Sequence, residues 1–173
     1  MTAKGILVVV DDPGWREFRG LAPKLKRAAV AAAKTAGFRD SYSLTVLLSD
    51  NRRLKALNRR FRGKDKPTNV LSFPANDTGP RQEGSQPHLG DIVLAFETIE
   101  REAKSEHKPL THHLAHLAVH GFLHLVGYDH ERDKDAHRME QAERDILRQL
   151  KIPDPYRVEP ATKKTSLRRA KAS

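Results

Sequence analysis

Residues His120 to His130 read H-G-F-L-H-L-V-G-Y-D-H, three histidines with gaps of three and five residues between them. On a helix, His120 and His124 stand one turn apart on a single face, so both imidazoles can reach one ion. A third ligand on the same helix fails, because positions 116 and 124 are two turns apart, about 12 Å at 1.5 Å per residue. The third must come from chain that has left the helix and folded back. Gly127 supplies the break, since glycine readily takes the left-handed conformation that ends helices. His130 follows three residues later. Three nitrogen ligands with no fourth evident suit zinc in an open, catalytic site.

The spacing fits the zinc-protease pattern H-E-x-x-H-x-x-G-x-x-H at every position but one, where Gly121 replaces the glutamate. That glutamate is the general base of a peptidase. Its absence leaves the metal site and removes the peptidase chemistry as usually run, so the site reads as metzincin-like and used on another substrate. Seven of the nine histidines lie between His107 and His130, and not all can be ligands. His107, His112 and His113 are assigned to a solvated face or to structure. His116, one turn before His120, belongs to the core or to the surroundings of the ligands.

The chain has 173 residues, enough for one domain with a sizeable core and too few for two ordinary ones. Residues 1–156 read as that domain and residues 157–173 as a basic, disordered tail. With no cysteine, no disulfide helps the fold, and any zinc site must use histidine or carboxylate. Ile6 to Val10 is too short to cross a membrane, and histidines interrupt Leu114 to Val126. The start lacks the apolar core of a signal peptide, which makes the cytoplasm the expected location. The net charge is +10, and residues 157–173 carry six Lys or Arg against one Glu, half of that excess. Asn51 to Lys66 concentrates eight more basic residues against one acid. Such clusters fit a polyanionic partner, nucleic acid above all, or else a solvated helix face plus a tail.

Taken in order, Gly5 to Val10 reads as a short buried strand. Trp15 to Ala36 has helical periodicity, split near its start by Pro23 and ended by Gly37. Ser43 to Ser49 is a second strand, after which Ser49-Asp50 caps a helix with Leu54, Leu57 and Phe61 inward and its basic residues outward. A basic loop leads into a strand closed by Pro74. Ala75 to His88 has the composition of a mobile loop. Leu89 to Phe96 is a further strand, with a helix from Glu97 to about His107. Pro109-Leu110-Thr111 opens the histidine-bearing helix, capped by Thr111 or a neighbour. A last amphipathic helix covers His130 to Leu150, with Met139, Ala142, Ile146 and Leu150 on one side. Alternation early and helices late define an α/β or α+β class, one small sheet covered by helices.

Three stretches together resemble the YbeY endoribonucleases, bacterial zinc-dependent rRNA maturation factors. They are L-N-R-R-F-R-G-K-D-K-P-T-N-V-L-S-F-P (Leu57 to Pro74), L-G-D-I-V (Leu89 to Val93) and H-L-A-V-H-G-F-L-H-L-V-G-Y-D-H (His116 to His130). The likeness covers roughly residues 40 to 155. Asn69 stands where many members carry Asp, and Asn there can serve as a turn or cap residue. The resemblance implies a zinc-metalloprotease-like fold, a small mixed sheet surrounded by helices. It implies one Zn²⁺ on His120, His124 and His130, and a role in RNA cleavage for Arg62. The activity it implies is single-strand-specific endoribonuclease action in rRNA processing, namely 3′-end maturation of small-subunit (16S) rRNA and ribosome quality control, with the small ribosomal subunit as partner.

The residue chemistry agrees. Zinc lowers the pKa of the water it binds towards neutrality, so no glutamate is required. Negative charge building on phosphorane oxygens suits an arginine fork at Arg62, with Lys64, Lys66 and Arg59 as further RNA contacts. A salt bridge from Arg62 to Asp65 or Asp91 is the competing role. Asp129 can orient a ligand histidine or cap the last helix, and Asp91 can face the cleft or fix a strand start. Two other functions share the histidines: a metallopeptidase, against which Gly121 speaks, and an assembly factor with structural zinc, against which the missing fourth ligand speaks.

Overall fold

The computed structural model describes residues 5–39, 41–76 and 86–157. Four strands form one mixed sheet in the order β1-β2-β4-β3. These are β1 (Gly5–Val10), β2 (Ser43–Ser49), β3 (Val70–Pro74) and β4 (His88–Ala95). The first three neighbours in that order run parallel, and β3 closes the sheet antiparallel to β4. Five helices surround it: α1 (Leu21–Thr35), α2 (Asn51–Arg62), α3 (Phe96–Ser105), α4 (Leu110–Leu125) and α5 (Asp133–Gln149). The small mixed sheet covered by helices is the class expected from the sequence. Among the described residues no helix is long and apolar enough to cross a membrane.

Because side chains alternate along a strand, the sheet has two apolar faces. Ile6, Leu44, Val46, Leu48, Ile92 and Leu94 face the main core with residues of α1, α4 and α5. On the other face a smaller cluster holds Leu71, Val93 and Ala95 against Leu54 of α2. The sequence expectation of a fully buried β1 is corrected here. β1 is an edge strand, and Leu7 and Val9 are exposed because α2 covers only the β3–β4 side of that face; Val10, at the strand's end on the other face, is exposed as well.

Helix ends differ from expectation where tertiary contacts override local signals. Trp15 lies in a short 3-10 turn (Pro13–Glu17), its indole N–H donating to the Ser49 carbonyl at 2.9 Å. The main helix begins after Gly20, in the left-handed conformation at φ 72°, so the split falls there; Pro23 sits in the first turn of α1, where its missing N–H costs nothing. Asp50 caps α2 as expected, accepting from the Arg53 N–H at 2.8 Å. Phe61 does not turn inward; Asn58 is buried in its place, donating to the Lys66 carbonyl at 2.8 Å. α4 starts without a side-chain cap from Thr111. α5 starts at Asp133 rather than His130, which leaves His130 in the preceding turn. The proposed loop at residues 75–88 falls partly, and the tail almost wholly, outside the described residues.

α4 crosses the sheet at β3 and β4 and packs closely there because Gly121 has no side chain. A Cβ at this position would come within 3.0 Å of both Ile92 Cγ2 and Ser72 Oγ. The Ser72 hydroxyl donates to the Gly121 carbonyl at 3.0 Å, pinning the edge strand to the helix. The position that carries the base in zinc proteases is thus filled by strand β3. Gly121→Glu is expected to lower the urea midpoint, reflecting a loss of about 1–3 kcal/mol or more of unfolding free energy from overpacking, and to yield no peptidase activity. An unchanged midpoint would show that β3 can be displaced.

Candidate metal centre

The site begins at the C-terminal end of α4. Gly127, at φ 96°, reverses the chain. The Tyr128 N–H then donates back to the Leu123 carbonyl at 3.0 Å and the Gly127 N–H to His124 at 3.2 Å, the paired bonds of a Schellman stop. The turn brings His130 under the helix, where Asp129 Oδ1 accepts from the His130 backbone N–H at 2.7 Å. Asp129 therefore holds the ligand-bearing backbone and does not cap α5. Ring centroids are 4.7 Å apart for His120 and His124, 5.0 Å for His124 and His130, and 5.6 Å for His120 and His130. One ring nitrogen from each lies within 4.8 Å of the others, a group that could hold a metal ion.

The hydrogen bonds decide which nitrogens face inward. His124 Nδ1 lies 3.0 Å from the Tyr128 carbonyl, and His120 Nδ1 lies 2.5 Å from Glu143 Oε1. A carbonyl and a carboxylate only accept, so each Nδ1 carries the proton and each Nε2 presents a lone pair. These two Nε2 atoms are 3.1 Å apart. Two ligands of one tetrahedral zinc, each at 2.0–2.1 Å, stand about 3.3 Å apart. Two such nitrogens at this separation need a proton or a cation between them, and the donor set fits a metal. Burial, and then the charges of His120 and His130, push the His124 imidazole down to about 4. Its ring is thus neutral at physiological pH, the form in which it could hold a metal ion.

Reading the sequence did not find Glu143, which is completely buried on the inward face of α5. Its carboxylate meets His120 at 2.5 Å and His116 Nε2 at 3.3 Å, and it accepts from the Tyr156 hydroxyl. Burial alone would push this carboxyl up. Hydrogen bonds from His116 and His120, with the charge on His120 and the bond from Tyr156, prevail and hold it near 2. Tyr156 is pushed up in turn, by burial and then by its bond to Glu143. The available signal was an acid on an apolar stripe, one residue after Ala142 and three before Ile146. His116 thus lies behind the ligands, touching Glu143 and not the trio's open side.

The other histidines have structural places. His113 is buried and pairs through Nε2 with Glu102 at 2.7 Å. Glu102 also accepts from the Asn69 amide at 3.1 Å, while Asn69 Oδ1 accepts from the Val70 N–H at 2.7 Å, so Asn69 fixes the start of β3. His107 and His112 line a separate cleft of about 720 Å³ with Lys108 and Arg157. Asp91 is exposed on β4 and pairs with His88 at 3.1 Å.

Arg62 ends α2, exposed, with Lys64 and Lys66 exposed in the turn that follows. Among the described residues Arg62 pairs with neither Asp65 nor Asp91: Lys55 stands 4.0 Å from the first and His88 beside the second. Arg59 lines a shallow groove of about 460 Å³ with Arg52, Lys55 and Arg60. The structure brings the three histidines together. No hydrogen bond or ion pair among the described residues joins these basic side chains to them, because α2 and α4 pack on opposite faces of the sheet.

A mixed α/β scaffold carrying three convergent imidazoles defines a candidate metal-dependent hydrolase. The family model described as Endoribonuclease YbeY matches residues 17–151. An endoribonuclease YbeY of Rhodopseudomonas palustris is 50% identical over 150 residues, 86% of this chain and 79% of that protein. One from Chelativorans sp. is 53% identical over 146 residues, covering 84% and 87%. The solution structure of TM1509 from Thermotoga maritima aligns with a TM-score of 0.50 at 24% identity, covering 88% of this chain and 99% of that one. The chain belongs to the YbeY endoribonuclease family.

Two outcomes follow from this geometry. Glu143→Gln cannot accept from all three neighbours, so metal affinity in a chelator competition should fall about 10–100-fold. Unchanged affinity would mean the carboxylate does not govern His120. The pH dependence also has a definite sign. His124 titrates near 4 when folded and at 6.5 when unfolded. Glu143 titrates near 2 when folded and at 4.5 when unfolded. In both cases the unfolded chain binds the proton first, so stability from these groups is lost as pH falls. Metal-free protein should lose urea resistance from pH 6.5 to 4 through His124 and from 4.5 to 2 through Glu143. A flat wild-type profile across both windows would contradict the burial of His124 and the hydrogen bonds assigned to Glu143.

Proposed function

We propose that the protein is a zinc-dependent endoribonuclease that cuts single-stranded RNA. Its proposed setting is the cytoplasm, in rRNA processing, 3′-end maturation of 16S rRNA and ribosome quality control, with the small ribosomal subunit as partner. Residues 1–156 act as the catalytic domain and 157–173 as a basic tail. The observation that carries this reading is the convergence of two Nε2 lone pairs, beside His130, in a chain of the YbeY family. His120, His124 and His130 would hold the zinc, which when bound would supply Lewis acidity and lower the pKa of a water.

The chain's own residues do the rest. Glu143 keeps the proton of His120 on Nδ1, and the Tyr128 carbonyl does the same for His124. Arg62 meets the charge that builds on the phosphoryl oxygens, where a planar guanidinium can bind two of them at once. Lys64, Lys66 and Arg59 hold neighbouring phosphates as point charges. Gly121 supports an RNA rather than a peptide substrate, since no general base fits beneath β3.

The test is a cleavage assay on single-stranded RNA, with DNA and casein in parallel, using untreated, chelated and zinc-restored protein. RNA cutting should follow zinc and vanish in His124→Ala. Arg62→Ala should retain zinc and lose about 100-fold or more in rate. Casein cutting by the zinc form, or RNA cutting that ignores chelation, would overturn the reading. An Arg62 variant cutting at the parental rate would remove that residue alone.

A further inference from the structure

Phe61 stands where helical spacing places an inward residue, four after Leu57 and seven after Leu54, yet it is 57% exposed. The last turn of α2 overhangs the edge of the sheet, so the ring lies over β3 at its rim and not in the core. Two contacts hold it there. Phe73 of β3 meets it edge-on, centroids 5.1 Å apart at 64°, and the Arg60 guanidinium stands 5.3 Å from the ring centroid. The ring is thus oriented, with the Arg60 guanidinium over one face and the residue still 57% exposed.

Its surroundings indicate what covers it. Arg62, Lys64 and Lys66 follow in an exposed turn, and the only acid in that turn, Asp65, is close to Lys55. A ring set among cations suits a single nucleic-acid strand, whose bases stack on aromatic side chains while its phosphates meet Lys and Arg. An apolar protein partner would have to leave these charges desolvated or unpaired. The location also connects to the metal centre. Phe73 and Ser72 are successive residues of β3 and point to opposite faces; one supports Phe61 and the other bonds the Gly121 carbonyl beside His120. Among the described residues β3 is the last strand of the sheet, so a strand of RNA can pass from one face to the other around that edge.

We infer that Phe61 is a base-stacking platform, taking one unpaired base of the RNA on its exposed ring and so directing the adjoining phosphates past Arg62 towards the histidines. The assignment rests on RNA as the substrate proposed above. It gives the protein a single-strand requirement without base-specific hydrogen bonds, since every base offers a π-face.

The test is equilibrium binding of a labelled, cleavage-resistant 2′-O-methyl single-stranded oligonucleotide to the zinc-loaded full chain. Phe61→Ala should weaken binding about 5- to 150-fold, the range one base–aromatic stack carries. The slope of affinity against salt should stay the same, whereas Lys64→Ala should lower it by about 1. Phe61→Trp should restore binding, and its indole emission should be quenched on adding the strand, Trp15 being buried and unaffected. An abasic position walked along the strand should weaken the parent at one place and have no further effect in Phe61→Ala. A parent that binds and a Phe61→Ala protein that binds equally well would overturn the platform alone. A folded, zinc-loaded parent that binds no single strand would remove the RNA reading and the platform together.

Discussion

A carboxylate with no access to water ties the last helix to the one that carries the histidines. Glu143 is tolerable in the core only because three donors converge on it: His120, His116 and the Tyr156 hydroxyl. A buried charge lacking such partners costs several kcal/mol. Satisfying that requirement fixes the rotation of α5 against α4 and the position of residues 153–156. It also fixes the tautomer of His120. Packing and site chemistry are therefore one constraint, since the arrangement that stabilises the acid is the one that turns Nε2 of His120 towards His124 and His130, where a metal ion could be held.

The edge strand β3 joins the two functional faces. Seen from α4 it is the wall that occupies the space of a protease's glutamate, through Ser72 and the close approach to Gly121. Towards α2 it is the support for Phe61, through Phe73. A helix residue without a side chain permits the first contact, and strand alternation places the second on the opposite side. Five residues thus separate a metal centre from a basic, aromatic rim while holding the two at fixed relative positions. That division suits a polymer substrate, which can be gripped at one place and cut at another.

Charge is distributed to match. The basic residues of α2 lie on its outer face and pair little, with Arg53 engaged by Asp11 at 2.8 Å as the best-formed exception. Exposed ion pairs contribute little to stability, so this concentration is not explained by folding. Near the histidines the balance is different: His120 and His124 are each held at Nδ1 by an acceptor, and the buried carboxylate of Glu143 is matched by its three donors.

Local signals in the sequence determined the convergence of the three histidines, the Ser43–Ser49 and Gly5–Val10 strands, the Asp50 cap and the glycine stop at 127. Each of these depends on periodicity, capping chemistry or backbone conformation within a few residues, which the chain carries wherever it folds. The resemblance of three stretches to YbeY proteins added the family, to which the chain belongs. Tertiary structure alone decided the exposure of β1 and Phe61, the late start of α5, the role of Asp129 and the burial of Glu143 beside Tyr156. Those depend on which surfaces meet: α2 is too short to cover the whole sheet face, and the acid on α5 becomes a partner only once α4 lies against it. Spacing can bring three nitrogens to one ion, but it takes the packed fold to hold them in the tautomers that can bind it.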